Sequence, residues 1–300
     1  MMKHTYLLGD CFEHLKNIPD ASIDMCLTDP PYFLDSLGDD WDSKTVEANK
    51  AKKGPVTSLP KGMKFDRQQG YKFQEFMNRV SVEVFRVLKP GGFFISFSAA
   101  RLYHRMTVAV EDAGFEVRDM IGWTYQGQAK AFSQDHIINK QKNLSDDEKQ
   151  DLITQLRGWK TPQLKPCIEP MCLAQKPTDG IYIDNWQQHG VGLMNTEVSW
   201  DGSFPGNIIA CSKPTKNEKG NYNTHVSVKP VKLCEHLIKL FTQPNATVLD
   251  PFLGSGTTLI ACENTDRNCI GFELSPEYFA IIQQRLADTT INNISSKIFE

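Results

Sequence analysis

Two hydrophobic patterns alternate along the chain. Short apolar runs bounded by Gly, Pro, Asn or Asp are typical of buried strands, and apolar residues three or four positions apart are typical of helices. The predicted strands are residues 6–8, 23–28, 93–97, 115–125, 169–174, 247–250 and 268–272. The predicted helices are residues 11–17, 71–88, 101–113, 146–156, 231–241, 259–263 and 276–286. Strands that alternate with helices favour an α/β fold, a Rossmann-like and mostly parallel sheet with helices on both faces.

Other segments lack a sustained period. Residues 33–70 show none, and a structureless loop of that length is usually functional or disordered, so we expect a mobile loop there. Residues 126–168 mix charges with one helix, and residues 175–224 are rich in Gly, Asn, Trp and Pro. The sequence Lys89-Pro90-Gly91-Gly92 predicts a turn that stops the preceding helix. Residues 288–300 are predicted to be a frayed tail.

The first candidate for chemistry is Asp29-Pro30-Pro31-Tyr32, which follows the predicted strand 23–28. Ligands of open α/β sheets bind outside the carboxyl ends of the strands. Asp29 and the carbonyl of Pro30 can each accept a hydrogen bond from an –NH2 group, and Tyr32 offers a ring for stacking. The tetrapeptide therefore predicts a rigid site for a flat, amine-bearing group. A plain strand-ending turn remains the alternative from these four residues alone.

The second candidate is a glycine loop, Gly254-Ser255-Gly256, which follows the strand 247–250 and opens a helix. Glu273 lies 23 residues after Asp250, at the end of the next strand, where a Rossmann-type unit holds a pair of ribose hydroxyls. The loop lacks the Lys of a GxxxxGK[ST] motif, and Leu259 replaces the third glycine of GxGxxG. These departures argue against a nucleoside triphosphate and against NAD. Asp250 at the loop entry suits a cationic ligand with an amino group.

Together these motifs resemble a known family. Asp-Pro-Pro-Tyr at 29–32, Asp-Pro-Phe-Leu-Gly-Ser-Gly-Thr-Thr at 250–258 and Gly-Phe-Glu-Leu at 271–274 are similar to motifs of the amino-group DNA methyltransferases that use S-adenosylmethionine. The tetrapeptide precedes the glycine loop, as in the β class, whose chain is circularly permuted relative to most methyltransferases. The resemblance covers residues 6–123 and 225–286 and includes phage-type and orphan site-specific members.

The resemblance implies roles for individual residues. Leu-Leu-Gly-Asp-Cys at 7–11 is similar to an element that contacts the adenine of the cofactor. Residues 225–230 are similar to HPTQKP, from which they depart at 226–228. The catalytic residues, which also bind the target base, would be Asp29, Pro30 and Tyr32. The cofactor-binding residues would be Asp10, Cys11, Asp29, Lys229, Asp250, Phe252, Gly254, Ser255, Gly256, Thr257, Glu273 and Leu274.

The implied reaction is methylation of the exocyclic N6 of adenine in a flipped-out base of double-stranded DNA. In the resembled family, Asp at the first position of the tetrapeptide favours adenine and Ser favours cytosine, so methylation of cytosine N4 is the alternative. RNA and protein-glutamine methyltransferases can share a similar tetrapeptide but normally place the glycine loop before it. A non-catalytic DNA-binding or adenosyl-binding module is disfavoured because both motifs are intact.

Charge bears on the DNA partner in two opposite ways. The net charge is −3, whereas nucleic-acid-binding proteins are usually basic. However, Lys and Arg residues concentrate in two polar segments, 44–72 and 211–232, beside the two motifs. We expect phosphate contacts there, with a solvated surface as the alternative. The candidate DNA-binding residues are Lys52, Lys53, Lys61, Lys213, Lys216 and Lys219.

The motifs divide the chain into four parts. Residues 1–125 would form the catalytic half, 126–224 a target-recognition region with a strand returning to the sheet at 169–174, 225–287 the cofactor half, and 288–300 a tail. The segment Lys165-Pro166-Cys167-Ile168-Glu169-Pro170 resembles one found in phage-type relatives, and no chemical role follows from it. A homodimer and a cognate restriction endonuclease are open as partners.

The remaining expectations concern location and metals. No apolar stretch reaches 18 residues and the first residues lack a signal-peptide core, so we expect a soluble, cytoplasmic protein without a membrane partner. The 8 cysteines include no CxxC pair and are expected to be reduced thiols. No His, Asp or Glu cluster has metal-ligand spacing, so we predict no metal site.

Overall fold

The computed structural model describes residues 3–32, 67–225 and 227–298. Strands of the described residues form one sheet: β1 (His4–Leu8), β2 (Ile23–Thr28), β3 (Leu88–Phe97), β4 (Glu116–Thr124), β5 (Ile168–Gln175), β6 (Ile208–Ala210), β7 (Thr247–Asp250) and β8 (Asn268–Glu273). The helices of these residues are α1 (Cys11–Leu15), α2 (Arg67–Val87), α3 (Tyr103–Asp112), α4 (Asp135–Asn139), α5 (Asp146–Gln155), α6 (Tyr182–His189), α7 (Lys216–Lys219), α8 (Val231–Phe241), α9 (Thr257–Asn264) and α10 (Pro276–Ile298).

The sheet confirms the predicted mostly parallel α/β fold. Its strand order is β1-β8-β7-β2-β3-β5-β4-β6. Neighbouring strands are parallel except at β5, which is antiparallel to both β3 and β4. The chain leaves β7 towards β8 on one side and leaves β2 towards β3 on the other. The gap between β7 and β2 is therefore the topological switch point, where ligands of such sheets bind.

Helices cover both faces of the sheet because its central strands are apolar on both sides. In β2, Met25 and Leu27 lie in the hydrophobic cluster that includes α8 and α9, whereas Cys26 lies in the cluster that includes α2 and α3. The helices of these two clusters contribute buried residues, such as Leu233 and Leu237 of α8, which are fully buried and lie at helical spacing. Full burial of side chains of this size stabilises the fold by about 1.5–3 kcal/mol each.

The predicted turn at Lys89–Gly92 is wrong, although α2 does end at Val87 as expected. These residues form a bulge inside β3, where the pairing with β2 jumps from Ile23 with Leu88 to Met25 with Phe93. Two buried side chains satisfy the backbone of the bulge. Gln175 Nε2 donates to the Gly91 carbonyl at 2.9 Å, and Asn185 Nδ2 donates to the Pro90 carbonyl at 3.0 Å. Gly91 has a φ of +79°, and a Cβ there would lie 2.4 Å from Asn185 Nδ2.

The structure differs from the sequence-based expectation in two further segments. Residues 175–224, which show no period, contain α6, β6 and α7. The final helix continues to Ile298, where a frayed tail from residue 288 was expected. The expected mobile loop 33–70 lies outside the described residues up to residue 66. In the part of the chain that the structure describes, no helix combines the length and apolar character needed to cross a membrane.

Candidate active site

One edge of the sheet collects the residues that can do chemistry. The carboxyl ends of the parallel strands meet there, and so does the amino end of β5 because that strand runs in the opposite direction. In sheet order, this edge carries Glu273 of β8, Asp250 of β7, Asp29 after β2, Phe97 of β3, Glu169 of β5 and Tyr125 after β4. The structure thus brings the tetrapeptide and the glycine loop, more than 200 residues apart, to the two sides of the switch point. A cavity of about 50 Å³ lies between them, lined by Asp29, Lys229, Asp250 and Ser255 among others.

Both oxygens of the Asp29 carboxylate accept hydrogen bonds. Tyr32 Oη donates to Oδ1 at 2.6 Å, and Lys229 Nζ donates to Oδ2. Burial and the neighbouring Asp29 raise the pKa of Tyr32 well above its ordinary value, so its hydroxyl stays protonated and keeps donating. The Tyr32 ring packs edge-on against Phe73, with ring centroids 6.3 Å apart. Segment 29–32 is therefore held by a hydrogen bond between its own side chains, and its Pro30 is buried. A plain strand-ending turn needs neither feature.

Lys229 places a buried ammonium beside Asp29. Only 6% of this residue is exposed, and Nζ also lies 2.9 Å from Glu169 Oε1 and 3.0 Å from Ser227 Oγ. Burial acts to lower the pKa of Lys229, but Asp29 and Glu169 outweigh it and hold the pKa above its ordinary value. The ammonium is therefore charged at any pH at which the protein would be used. The resemblance placed Lys229 in the cofactor site, and in this structure it contacts the expected catalytic carboxylate.

Glu169 is a member of the site that the sequence reasoning missed. It pairs with Trp123 across the β4–β5 ladder, which places it at the same edge as Asp29. Burial raises the pKa of its carboxyl, Lys229 opposes this shift, and Asp29 adds to it. The only local signal was a carboxylate at the start of an otherwise apolar strand. The place of Glu169 in the site depends on its contact with Lys229, which lies 60 residues further along the chain.

Asp250 orders the entry to the glycine loop. Thr28 Oγ1 donates to Asp250 Oδ1 at 2.7 Å, and the Phe252 amide donates to the same oxygen at 3.1 Å. Burial raises the pKa of Asp250 to about 6. The loop itself requires glycine, because Gly254 and Gly256 have φ values of +54° and +83°. The buried Ser255 and Thr257 follow in this loop, where Arg285 Nη1 binds the Ser255 carbonyl at 2.7 Å.

Glu273 ends β8 beside this loop, as predicted. Its Oε1 accepts from the Ser275 amide at 2.8 Å, and burial raises the pKa of the carboxyl to about 7. The neighbouring Leu274 is 60% exposed. The Gly9 amide donates to the Glu273 carbonyl at 2.9 Å, which brings Asp10 and Cys11 to the same corner. Asp10 caps α1 by accepting from the Phe12 amide at 2.7 Å, and Cys11 is buried with a pKa raised to about 12 by burial.

His225 closes the space above the glycine loop. Its Nδ1 accepts from the Ser227 amide at 3.2 Å, and its ring packs edge-on against Tyr278 at 4.5 Å. Burial lowers the pKa of His225 to about 4, so the ring is neutral at pH 7. A Cβ on Gly254 would lie 2.8 Å from His225 Nε2. Only glycine at position 254 leaves the loop open, and the loop is flanked by the carboxylates of Asp250 and Glu273. These hydrogen-bond acceptors suit a cationic nucleoside.

The lysines expected to contact DNA fall into two groups. Lys52, Lys53 and Lys61 lie outside the described residues. Lys213 Nζ lies 4.2 Å from the ring centroid of Tyr125, at the edge of the site. Lys216 and Lys219 belong to α7, whose Glu218 accepts from the Val231 amide at the start of α8 at 2.9 Å. Phosphate contact by these lysines stays a prediction. Within residues 3–32, 67–225 and 227–298 no group of three His, Cys, Asp or Glu side chains is placed to hold a metal ion.

Comparison with known proteins supports this arrangement. The type II methyltransferase M.HindIII of Haemophilus influenzae is 30% identical over 299 residues, with 93% of each chain covered. The fold is similar to that of the PvuII DNA methyltransferase (cytosine-N4-specific), with a TM-score of 0.62, 20% identity and coverage of 94% of this chain and 86% of that chain. It is also similar to a putative DNA modification methylase from Thermus thermophilus, complexed with S-adenosyl-L-methionine, with a TM-score of 0.56, 22% identity and coverage of 95% and 94%.

The family follows from the whole set of observations. The fold agrees with that of the two solved structures, and M.HindIII is 30% identical over almost the whole chain. The sequence model of the N6/N4 DNA methylase family matches residues 23–284, which is most of the chain. The resemblance seen in the motifs is thereby confirmed, and the chain belongs to the N6/N4 DNA methylase family.

Proposed function

We propose that the protein transfers the methyl group of S-adenosylmethionine to the exocyclic N6 of adenine, in a base flipped out of double-stranded DNA. The observation that carries this proposal is the position of Asp29 opposite the glycine loop, across a cavity at the switch point. A carboxylate there can hold an amine at the place where the cofactor loop presents its ligand. The family membership supports the transfer to an amino group of DNA.

The residues of the cofactor half fit S-adenosylmethionine. Glu273 can accept hydrogen bonds from ribose hydroxyls, and the exposed side chain of Leu274 and the corner formed by Asp10 and Cys11 lie beside it. The glycines of the loop leave room beside His225 that a larger residue would fill. When bound, S-adenosylmethionine supplies a methyl group on a positively charged sulfur. The carboxylates of Asp29 and Asp250 line the cavity and favour that positive charge.

Asp29 and Pro30 would act on the amine of the target base. An exocyclic amine is a poor nucleophile because its lone pair is delocalised into the ring. Hydrogen bonds from the amine to Asp29 and to the Pro30 carbonyl localise the lone pair and aim it at the methyl group. Each carboxylate oxygen has two lone pairs, so Asp29 can accept from the amine while it still accepts from Tyr32 and Lys229. Such positioning can contribute several kcal/mol to catalysis.

The base must leave the duplex before it can reach Asp29. Extrusion costs a few kcal/mol, which stacking on aromatic side chains offsets in part. Tyr32 was expected to provide this platform. Tyr125 is a second, partly buried ring at the same edge, and it packs at a tilt against the buried Trp123 with ring centroids 4.9 Å apart.

Methylation of cytosine N4 is the second candidate. It is favoured by one finding, the similarity of fold to a methyltransferase that is cytosine-N4-specific. Asp at the first position of the tetrapeptide favours adenine. The two candidates share the fold, the cofactor and the chemistry of the amine, so the product must distinguish them.

The test is the identity of the methylated nucleoside. Bacterial genomic DNA amplified in vitro, which carries no methylated adenine or cytosine, is incubated with the protein and S-adenosylmethionine and digested to nucleosides for mass spectrometry. We expect N6-methyldeoxyadenosine. N4-methyldeoxycytidine would establish the second candidate instead, and the absence of both would contradict the proposed function. Asp29→Ala is the control that should give neither product.

Site specificity and partners are read from the same DNA. Methylation-aware sequencing of DNA from cells that express the protein should show one short sequence context. Because the named relatives include type II methyltransferases, we include a cognate restriction endonuclease as a proposed partner. A homodimer is also proposed, and sedimentation equilibrium of the protein with and without DNA measures it.

A further inference from the structure

The charges around Lys229 do not balance. Its ammonium touches two carboxylates, Asp29 and Glu169, both on the same edge of the sheet. One carboxylate is enough to neutralise one buried ammonium. The cluster as a whole therefore keeps a net charge of −1 when both carboxyls are ionised. Burying a second carboxylate costs free energy, so its presence at this position calls for a physical reason.

A single pair between Asp29 and Lys229 would be a poor catalyst. The target amine becomes positively charged as it takes the methyl group, and the negative charge of Asp29 stabilises it. An ammonium bound only to Asp29 would offset that negative charge at hydrogen-bonding distance. A second carboxylate bound to the same ammonium offsets the positive charge, so that the negative charge of Asp29 again acts on the amine. Preorganised charges of this kind act strongly because the site excludes water.

We propose that Glu169 is a positioning residue that holds the ammonium of Lys229, so that the charge of Asp29 stays available to the target amine. This inference rests on the proposed function. Glu169 touches neither the base nor the cofactor in this scheme, and it acts through Lys229. The Lys229 ammonium lies 2.9 Å from Glu169 and 5.1 Å from the Phe97 ring centroid, which limits the directions in which it can move.

If Glu169 has this role, the rate of methyl transfer depends on whether its carboxyl is protonated. A proton on Glu169 leaves Lys229 with Asp29 as its only anionic partner among the described residues, so methyl transfer should slow. Burial raises the pKa of Glu169, which places this change above the ordinary range of a glutamate. The charged and titratable groups that face its carboxyl are Asp29 and Tyr32 after β2, Tyr125 after β4, Lys213 after β6 and Lys229 before α8.

The experiment compares the wild type with Glu169→Gln in single-turnover methylation of the amplified genomic DNA, using S-adenosylmethionine with a tritiated methyl group at saturating concentration. At pH 8, the rate constant of the variant should be about ten- to hundredfold lower. This is less than the roughly hundred- to thousandfold loss caused by removing a group in direct contact with the developing charge, because Glu169 acts through Lys229. The affinity for S-adenosylmethionine should change by about twofold or less, because the loss falls on the rate and not on binding.

The pH profile separates positioning from a structural role. As the pH falls and Glu169 of the wild type takes up its proton, the ratio of the two rate constants should approach one. Asp250 and Glu273 titrate in both proteins and so leave the ratio unchanged. Glu169→Asp, which keeps the charge, should recover most of the rate. A ratio that is the same at every pH, or a Glu169→Asp variant as slow as Glu169→Gln, would overturn the inference.

A matched control is Asp24→Asn. Asp24 is also a buried carboxylate, paired with Lys89 at 2.7 Å, but it lies at the opposite end of β2. Its replacement should leave the rate constant unchanged. An active wild type with an equally active Glu169→Gln variant would overturn this inference alone. A wild type that methylates no DNA would overturn the proposed function, and this inference with it.

Discussion

The two halves of the site hold their carboxylates in different ways. In the cofactor half, Asp250 and Glu273 accept from backbone amides and a hydroxyl, with no ammonium or guanidinium bound to them among the contacts the structure describes. Burial raises their pKa values to about 6 and about 7. In the catalytic half, Asp29 and Glu169 share the buried ammonium of Lys229.

This difference reflects what each half binds. A buried carboxylate without a cation is destabilising, and a ligand that brings hydroxyl donors and positive charge relieves it. The cofactor half is therefore completed by its ligand. The catalytic half carries its own cation and must act on a neutral amine whose charge appears only during the reaction. Its charges are therefore fixed before the substrate binds, and variants in each half test this contrast.

The largest effect is expected at Asp29. We expect Asp29→Ala to lower the rate of methyl transfer by at least about a thousandfold, because it removes the group that stabilises the charge on the amine. Asp24→Ala at the opposite end of β2 is the control, and both variants are measured in single turnover after their folding is checked by circular dichroism. Turnover of Asp29→Ala within about tenfold of the wild type, a barrier change of about 1.4 kcal/mol, would remove Asp29 from its assigned role.

The next effect concerns only the cofactor half. Gly254→Val should weaken S-adenosylmethionine binding by about a hundredfold or more, since a β-branched residue is strained at positive φ and its Cβ meets His225. Gly206→Val is the control, because a Cβ at Gly206 meets nothing within 4 Å. Isothermal titration calorimetry measures both variants. Equal affinities would show that the loop is not the cofactor cradle.

Glu273→Gln tests whether the buried carboxylate of the cofactor half destabilises the folded protein. The folded pKa of Glu273 lies above its ordinary value of 4.5, so the wild type loses stability as the pH rises from about 4.5 to about 7. The cost at pH 8 is at most about 3 kcal/mol. The variant should therefore be more stable than the wild type at pH 8 by up to that amount, and by about 1 kcal/mol or less at pH 5.

Urea denaturation at the two pH values measures this difference. Calorimetry on the same variant should show weaker binding of S-adenosylmethionine, so that stability and function change in opposite directions. Asp29→Asn is the comparison from the catalytic half. It leaves Lys229 with less anionic charge and should not stabilise the protein at either pH. An unchanged or lower stability of Glu273→Gln at pH 8 would contradict the account of the cofactor half.

The smallest effect is expected outside both halves. If Lys213, Lys216 and Lys219 contact phosphates, replacing all three by Ala should flatten the slope of log affinity for duplex DNA against log salt by up to about three units. Fluorescence anisotropy measures the affinity at salt concentrations from about 50 to 200 mM, a range in which counterion release changes the affinity measurably, and gives that slope. The control replaces Lys3, Lys16 and Lys239, which are exposed. Equal slopes would show the first three lysines to be a solvated surface.

The cofactor half could be predicted almost completely from the sequence, because its signals are local. Strand β7, the glycine loop, the helix after it and Glu273 follow one another within 27 residues, and α8 has the predicted bounds. Each of these elements shows its own periodicity and its own turn residues. The family resemblance added the cofactor and the target.

The catalytic half could be predicted only in part, because its contacts join distant residues. The family resemblance places Lys229 and Asp29 in the same cofactor site, but no local pattern predicts that they touch, since the two lie 200 residues apart. Glu169 acquires its environment from β4 and α8 in the same way. The bulge at Pro90 and Gly91 has the composition of a turn. The side chains that bind its carbonyls, those of Gln175 and Asn185, lie 84 and 95 residues further along the chain.

The strand order also affects how the chain can fold. β1 pairs with β8, with Thr5 opposite Ile270, and β2 pairs with β7, with Met25 opposite Val248. A ribosome that adds about 5–20 residues per second needs roughly 10–45 s to pass from β2 to β7. During that time β2, apolar on both faces, has no partner on its β7 side. Such an exposed edge is prone to intermolecular pairing, so we expect yields of soluble protein to depend strongly on growth temperature and on chaperones during synthesis.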